Sequence, residues 1–173
     1  YLCGSIPFGV LLAKTQNMDI REHGSGNIGA TNVARTMGKK AGLMTLVGDV
    51  LKGLVVVFAA NQWFENTLIT ALAGLSVFLG HLFSIFLKFK GGKGVATGLG
   101  LLSFTMPLST LCSAGVFTVC LKISGYVSLS SILAAITLPL FGIFFKMPFS
   151  YIYLSTIVAL FTLQRHHDNI VRL

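Results

Sequence analysis

The sequence predicts an all-α protein, a polytopic membrane helix bundle of about seven transmembrane helices with Gly-rich loops on the cytoplasmic side. Of the 173 residues, 54% are hydrophobic and only 10% are charged, and the mean hydropathy is +0.81. A soluble domain of this size needs far more polar surface. The formal net charge of +8 is typical of membrane proteins whose basic loops face anionic lipid headgroups.

The apolar blocks give the order of the predicted membrane helices. Blocks of roughly 15 to 25 residues match the thickness of a bilayer core. The chain begins within such a block, without Met, and stops after a basic motif, so we expect a single domain over residues 1–173 that is trimmed at both ends. The blocks cover residues 1–13, 42–60, 67–87, 95–121, 127–145 and 150–163.

Positive charge sets the predicted topology. Lys and Arg collect in the first loop, in the third loop and near the end, whereas residues 61–66 have none. Because cytoplasmic loops are enriched in Lys and Arg, we expect those segments in the cytoplasm and residues 61–66 outside. The basic residues used here are Lys14, Arg21, Arg35, Lys39, Lys40, Lys88, Lys90, Lys93, Arg165 and Arg172.

Pro107 provides an extra turn that this topology requires. A single crossing for residues 95–121 would place Arg165 outside, and a proline interrupts the hydrogen bonds of a helix. Residues 95–106 and 108–121 are therefore predicted as two short or tilted helices, which brings the total to about seven. Because the whole segment makes only about 40 Å of helix, a re-entrant hairpin explains the charge pattern equally well.

Five glycine- and serine-rich or basic motifs collect at the predicted cytoplasmic boundary. Exposed backbone and unpaired charge are costly in hydrocarbon, so these motifs predict one composite, water-filled site. They are GSIPFG (4–9), GSGNIGATNVAR (24–35), KGGKGVAT (90–97), SGYVSLSS (124–131) and RHHDNIVR (165–172).

Two of these motifs predict phosphate binding. In the first, glycines permit close approach of the backbone to a ligand, and hydroxyl and amide groups lie at a predicted helix start. Arg35 follows one turn later, and its planar guanidinium suits a phosphate. Either motif alone is also typical of a simple turn, and KGGKGVAT is no Walker A motif because Gly94 follows Lys93. The groups concerned are Ser25, Asn27, Thr31 and Asn32, with the backbone N–H groups of Gly91, Gly92 and Gly94.

Histidines and buried charges supply further candidates. His81 ends an apolar span, where a structural histidine fits the pattern as well as a ligand-binding one. His166 and Asn169 would share a helical face and are candidates for acid, base or orienting roles. Asp49 and Lys52 are predicted to form an ion pair just within the membrane, which either takes part in the site or only braces it.

Other classes of partner are disfavoured. Cys3, Cys112 and Cys120 lie in apolar surroundings without C-x-x-C spacing, so we interpret them as small buried hydrophobes. No histidines have metal-ligand spacing, and we expect neither a metal nor another cofactor. The lysines lie beside apolar spans rather than on one basic helix, so membrane lipid is the expected partner and nucleic acid is not.

The motifs together resemble the successive signatures of the bacterial acyl-phosphate:glycerol-3-phosphate acyltransferases, over residues 4–173. They are GSIPFG, GSGNIGATN followed by Arg35, GH followed by FKGGKGVAT, YVSLSS and HHDNIVRL. The resemblance implies transfer of a fatty acyl group from acyl phosphate to the 1-hydroxyl of sn-glycerol 3-phosphate, giving lysophosphatidic acid and inorganic phosphate in the first step of phospholipid biosynthesis. It also implies a multi-pass protein of the bacterial inner (plasma) membrane with a cytoplasm-facing active site, coupled to the enzyme that makes acyl phosphate.

The resemblance and the chemistry together assign roles. An acyl phosphate is already activated, so the enzyme mainly has to hold two phosphorylated substrates in line. The general base is either His166 or a phosphate oxygen of the substrate. The predicted catalytic residues are Ser25, Lys93, His166 and Asn169; the predicted substrate-binding residues are Asn27, Thr31, Asn32, Arg35, His81, Gly91, Gly92, Gly94 and Ser128.

Two alternatives differ in kind. An acyltransferase that uses acyl-CoA would carry H-x-x-x-x-D, and none of the four histidines has Asp at that spacing. A membrane transporter or channel for a phosphate-containing anion would also use lysines, glycines and broken helices. It would place them near the bilayer midplane with access from both faces, whereas here they are predicted at one boundary.

Overall fold

The structure, a computed structural model, describes residues 1–171, and every regular element in that range is helical, as predicted. Arg172, which belongs to the predicted basic end, lies outside the described residues. Short 3-10 helices cover Ile20–Glu22 and Ile85–Leu87. The α-helices are α1 (Leu2–Ser5), α2 (Phe8–Lys14), α3 (Ala30–Met37), α4 (Lys39–Phe64), α5 (Thr67–Leu82), α6 (Val95–Thr105), α7 (Pro107–Ser124), α8 (Val127–Phe144), α9 (Phe149–Arg165) and α10 (His167–Ile170).

Four helical segments of the described chain are long and apolar enough to cross a membrane. Their apolar side chains remain exposed: Leu43, Val47, Leu51 and Val55 recur every fourth residue along one face of α4, and each is at least 46% exposed. A stripe of this kind is a lipid-facing surface rather than a water-facing one. The four segments are Lys39–Phe64, Thr67–Leu87, Pro107–Ser124 and Val127–Phe144.

Prolines divide two of the predicted apolar blocks. As expected, α6 ends at Thr105 and Pro107 begins α7. A backbone N–H at the first position of a helix has no acceptor within the helix, so proline is tolerated there. The 11 residues of α6 make about 16 Å of helix, less than the bilayer core of about 30 Å. The block over residues 1–13, predicted as the tail of a membrane span, is instead interrupted at Pro7, between α1 and α2.

The contacts divide the chain into two compact units, Tyr1–Val56 with Ser76–Leu101 and Val57–Leu75 with Leu102–Leu173. In the second unit α8 packs against both α7 and α9. The connection from α7 to α8 is short and turns at Gly125, whose φ is 73°, so consecutive helices become neighbours. The single domain predicted over residues 1–173 stays a prediction.

In the first unit, glycines bring α4 and α6 into backbone contact. A Cβ on Gly53 would collide with the carbonyl oxygen of Thr97, and one on Gly100 with the carbonyl oxygen of Val50. Small residues at such crossings permit close helix packing in membranes. This contact fixes the start of α6, and therefore the end of the KGGKG segment that precedes it.

A separate apolar cluster anchors the segment between α2 and α3. Val10, Ala13, Ile20, Ile28 and Val33 are buried together, each no more than 5% exposed. Ile20 and Ile28 lie on either side of the sequence HGSG. The polar loop is therefore held at both of its ends by buried side chains while its middle stays exposed.

Candidate active site

The side-chain amide of Asn32 organises the loop that precedes α3. Asn32 is only 2% exposed. Its Nδ2 donates to the carbonyl oxygens of Asn27 at 2.9 Å and His23 at 3.0 Å, with that of Ile20 at 3.3 Å, and its Oδ1 accepts from the N–H of Ser25 at 2.8 Å. Because each polar atom of this amide is used within the loop, Asn32 shapes the loop, and its predicted contact with substrate stays a prediction.

The loop presents two of the predicted site residues, Ser25 and Asn27. The Ser25 side chain is exposed, and its hydroxyl forms no hydrogen bond within residues 1–171. Asn27 Oδ1 accepts from the N–H of Gly29 at 2.8 Å, an Asx turn that leads into α3. Gly24 has φ of 62°, and a Cβ there would collide with Asn32 Oδ1, so the tight fit around the amide requires glycine.

Helix α3 displays Thr31 and Arg35 one turn apart on its exposed surface, which confirms the predicted helix. Arg35 forms no hydrogen bond or ion pair within the described chain. Arg21, by contrast, donates to both carboxylate oxygens of Asp19, with Nη2 2.6 Å from Oδ2, and these hydrogen bonds lower the pKa of Asp19 to about 2. Arg35 is thus the arginine of this region whose charge is available to an anionic ligand.

The KGGKG segment doubles back along the end of α5. The N–H of Gly91 donates to the carbonyl oxygen of Leu82 and the N–H of Gly92 to that of His81, both at 3.1 Å. These two amides were predicted as free phosphate donors, and the structure corrects that expectation because both are used within the protein. They fix the path of the segment instead. Lys93 follows them with a half-buried side chain.

Unusual backbone conformations flank this segment. Lys88 and Phe89 are consecutive residues in the left-handed region, with φ of 51° and 63°. Such non-glycine conformations cost about 1 to 3 kcal/mol each and concentrate at functional sites. Gly94 has φ of 83°, and a Cβ there would collide with the ring of Phe78. The turn before α6 is therefore tightly constrained on both sides of Gly91 and Gly92.

A buried polar network lies behind the segment. Lys52 Nζ is 2.7 Å from Asp49 Oδ1 and donates to the carbonyl oxygen of Ile6 at 2.9 Å. His81 Nδ1 lies 3.6 Å from Asp49 Oδ1, an electrostatic contact rather than a hydrogen bond, and 3.2 Å from Thr97 Oγ1. The helical spacing in the sequence predicted the Asp49–Lys52 pair. It did not reveal the contacts that Asp49 and Thr97 make with His81.

Three predicted site residues belong to the second unit. Ser128 is half-buried in the first turn of α8, and Asn169 is half-buried in α10, which packs against α8 and α9. His166 is 4% exposed, and its Nδ1 lies 2.8 Å from the carbonyl oxygen of Thr162. A carbonyl only accepts, so Nδ1 carries a proton, and in the neutral form of the ring the lone pair is on Nε2.

Other polar side chains of the described residues take no part in these arrangements. His23 and His167 are exposed. Cys3, Cys112 and Cys120 are free thiols and are only half-buried, not buried as predicted. Within residues 1–171, no group of three His, Cys, Asp or Glu side chains is placed to hold a metal ion.

These features define an integral membrane protein with glycine-rich, basic loops suited to an anionic ligand. A family model described as glycerol-3-phosphate acyltransferase matches residues 1–173, and the chain belongs to this family. It is 48% identical over 173 residues to the glycerol-3-phosphate acyltransferase of Geotalea daltonii and 46% identical over 173 residues to that of Geobacter sulfurreducens. In both alignments, all of this chain and 89% of the relative are covered.

Solved structures agree with this membership. The fold is similar to the crystal structure of PlsY, an integral membrane glycerol 3-phosphate acyltransferase, in its glycerol 3-phosphate form, with a TM-score of 0.94 and 39% identity. The form of PlsY with lysophosphatidic acid gives a TM-score of 0.92 and 38% identity. Each alignment covers 99% of this chain and 86% of the other.

Proposed function

We propose that this protein is a membrane acyltransferase that acylates glycerol 3-phosphate and forms lysophosphatidic acid. The observation that carries the proposal is the match of the whole chain to a relative solved in forms named for this substrate and this product. The exposed guanidinium of Arg35 has no partner among residues 1–171 and lies beside a loop with a fixed shape, so it gives the phosphate of the acceptor a suitable partner.

The proposed acyl donor is acyl phosphate. The 1-hydroxyl oxygen of glycerol 3-phosphate attacks the acyl carbonyl carbon, the bond from that carbon to the phosphate oxygen breaks, and inorganic phosphate leaves. The hydroxyl proton passes to a base. Since the donor is a mixed anhydride, alignment of the two substrates and stabilisation of the oxyanion account for most of the work required of the protein.

The proposed roles follow the corrected geometry. Arg35, Ser25 and Asn27 orient and bind a substrate phosphate, with Thr31 on the same exposed face of α3, and Lys93 neutralises the other phosphate. Gly91 and Gly92 direct Lys93 instead of binding phosphate through their amides. Gly94 permits the turn that leads from this segment into α6.

We assign the glycerol end of the substrate to Ser128, His166 and Asn169. The Nε2 lone pair of His166 makes it one candidate for the base. The other candidate for the base is a phosphate oxygen of the substrate.

The finer topology is also a proposal. About seven membrane helices, with the basic loops in the cytoplasm and the protein in the bacterial inner membrane, agree with the distribution of Lys and Arg. A cytoplasmic site would receive acyl phosphate directly from the enzyme that makes it. The acyl chain would stay in the bilayer throughout the reaction.

An assay on the purified protein in detergent tests the proposal. Palmitoyl phosphate should release inorganic phosphate only when glycerol 3-phosphate is present, and Lys93→Ala should lose at least about 90% of this activity because a phosphate would lose its cation. Lys122→Ala removes an exposed lysine at the end of α7 and is the matched control. Release of CoA from palmitoyl-CoA, or uptake of glycerol 3-phosphate into proteoliposomes without acyl transfer, would contradict the proposal.

A further inference from the structure

We infer that Asp49, Lys52 and Thr97 act as positioning residues: through His81 they fix the KGGKG segment in the path required for binding of a phosphate-bearing substrate. The kinetic consequences of this inference rest on the proposed function, whereas its conformational consequences rest on the structure alone. It changes the predicted role of His81 from contact with substrate to support of the segment that makes this contact.

Asp49 and Lys52 are 2% and 5% exposed in an apolar helix long enough to span a membrane. Burial of two ions requires compensation, and replacing such pairs by apolar residues is often neutral or stabilising. Stability alone is therefore a weak reason for this pair, whereas charged groups inside membrane helices generally serve function.

The Lys52 ammonium is held between Asp49 and the carbonyl oxygen of Ile6, at the break between α1 and α2. Asp49 is thereby fixed and faces Nδ1 of His81, with Thr97 Oγ1 on the same ring nitrogen. These partners come from α4 and α6, so the orientation of one imidazole depends on two other helices.

His81 contacts the KGGKG segment through both its backbone and its ring. The carbonyl oxygen of His81 accepts from the N–H of Gly92, so the backbone of His81 holds the segment directly. The edge of the ring that carries Nε2 faces the same residue closely enough that a Cβ on Gly92 would collide with it. A rotation of the ring would therefore push against the segment that presents Lys93.

The conformational test uses hydrogen exchange on the full-length protein in detergent. In the double variant Asp49→Asn with Lys52→Met, which removes both charges and avoids an unpaired buried ion, the amides of Gly91 and Gly92 should exchange about ten-fold faster. Thr97→Val is a second, nearly isosteric variant that removes only the hydroxyl near His81, and it should give a smaller change in the same direction. Thr45→Val removes another buried hydroxyl from α4, bonded within its own helix, and is the control.

The kinetic test separates positioning from general loss of stability. In the double variant and in Thr97→Val, the KM of glycerol 3-phosphate or of palmitoyl phosphate should rise about ten-fold or more, with kcat changed less than about three-fold. If exchange at Gly91 and Gly92 in both variants matches that of Thr45→Val, the inference is wrong whatever the activity. If exchange accelerates and both KM values stay unchanged, the kinetic role is wrong. Wild-type protein without acyl transfer would contradict the proposed function, and the exchange result would still decide the conformational part.

Discussion

The two glycine-rich loops of the first unit are held in place by opposite means. The loop before α3 is organised by one neutral amide, that of Asn32, whose partners all lie between residues 20 and 27 of the chain. The KGGKG segment is attached to the end of α5, behind which lie two ionised side chains and a histidine. The first loop therefore depends on local sequence, and the second depends on the packing of several helices.

This difference indicates how each loop should respond to amino-acid substitution. A neutral amide in a partly exposed loop can be replaced by water at modest cost, so the effects of substitutions in the first loop should remain local. Buried charges have no such substitute, since removal of one partner leaves the other uncompensated. Substitution of Asp49 or Lys52 alone should therefore affect the whole unit, unless both charges are removed together.

The largest expected effect comes from the exposed arginine of the first loop. Arg35→Ala should lower kcat/KM for glycerol 3-phosphate about 100-fold, because a charge-assisted, bidentate contact with phosphate is lost. Thermal stability should stay unchanged, since Arg35 has no partner among residues 1–171. Arg35→Lys should recover only part of the activity, as an ammonium cannot reproduce the planar fork.

Arg21→Ala is the matched control for this measurement. Arg21 is also exposed and lies in the same region, but its guanidinium is bound to Asp19. Its loss should change kcat/KM less than about three-fold, since exposed ion pairs contribute little. Equal losses in Arg21→Ala and Arg35→Ala would show that only the general positive potential of the loop matters.

A smaller effect should follow from Asn32→Asp, which keeps the shape of the side chain and replaces the Nδ2 donor by an oxygen. The carbonyl groups of His23 and Asn27 would then face a carboxylate, and kcat/KM should fall about ten-fold as the loop opens. Thr36→Val, which removes a hydroxyl bonded to the backbone of α3, is the control. Hydrogen exchange at Gly91 and Gly92 should be the same in Asn32→Asp as in the wild type. A change there would mean that the two loops are not held independently.

The sequence was sufficient for features that depend on local pattern. Apolar blocks and Pro107 predicted the helices and the break before α7, because span length and proline act on their own neighbourhood. The spacing of Asp49 and Lys52 likewise predicted their ion pair.

The sequence did not reveal which neighbour forms a hydrogen bond with each polar group. An asparagine at a helix start can face a ligand or its own loop, and only the fold shows that Asn32 does the latter. The amides of Gly91 and Gly92 are used because the chain reverses direction onto α5, a tertiary event that no motif records. Thr97 was overlooked for the same reason, since its contact with His81 joins two helices.

The smallest expected effect concerns pH and the ion pair at the edge of the first loop. Hydrogen bonds from Arg21 hold the pKa of Asp19 at about 2 in the folded protein, below the value of about 3.9 expected in the unfolded chain. A carboxylate with a lowered pKa adds stability at pH values above its unfolded pKa, and this contribution is lost as the pH falls through the folded pKa. The short 3-10 helix at Ile20–Glu22, which Asp19 caps through the N–H of Arg21, should therefore loosen between about pH 4 and pH 2.

Hydrogen exchange of the Arg21 amide, followed from about pH 5 to pH 2.5 and corrected for the intrinsic exchange rate, measures this loosening. Asp19→Asn should remove the pH dependence and leave exchange at Gly91 and Gly92 unaffected, because the pair is exposed and screened by water. If the KGGKG segment instead loosened together with Arg21 in the wild type, but not in Asp19→Asn, the first loop would be supporting the second. The local character assigned to the first loop would then have to be abandoned.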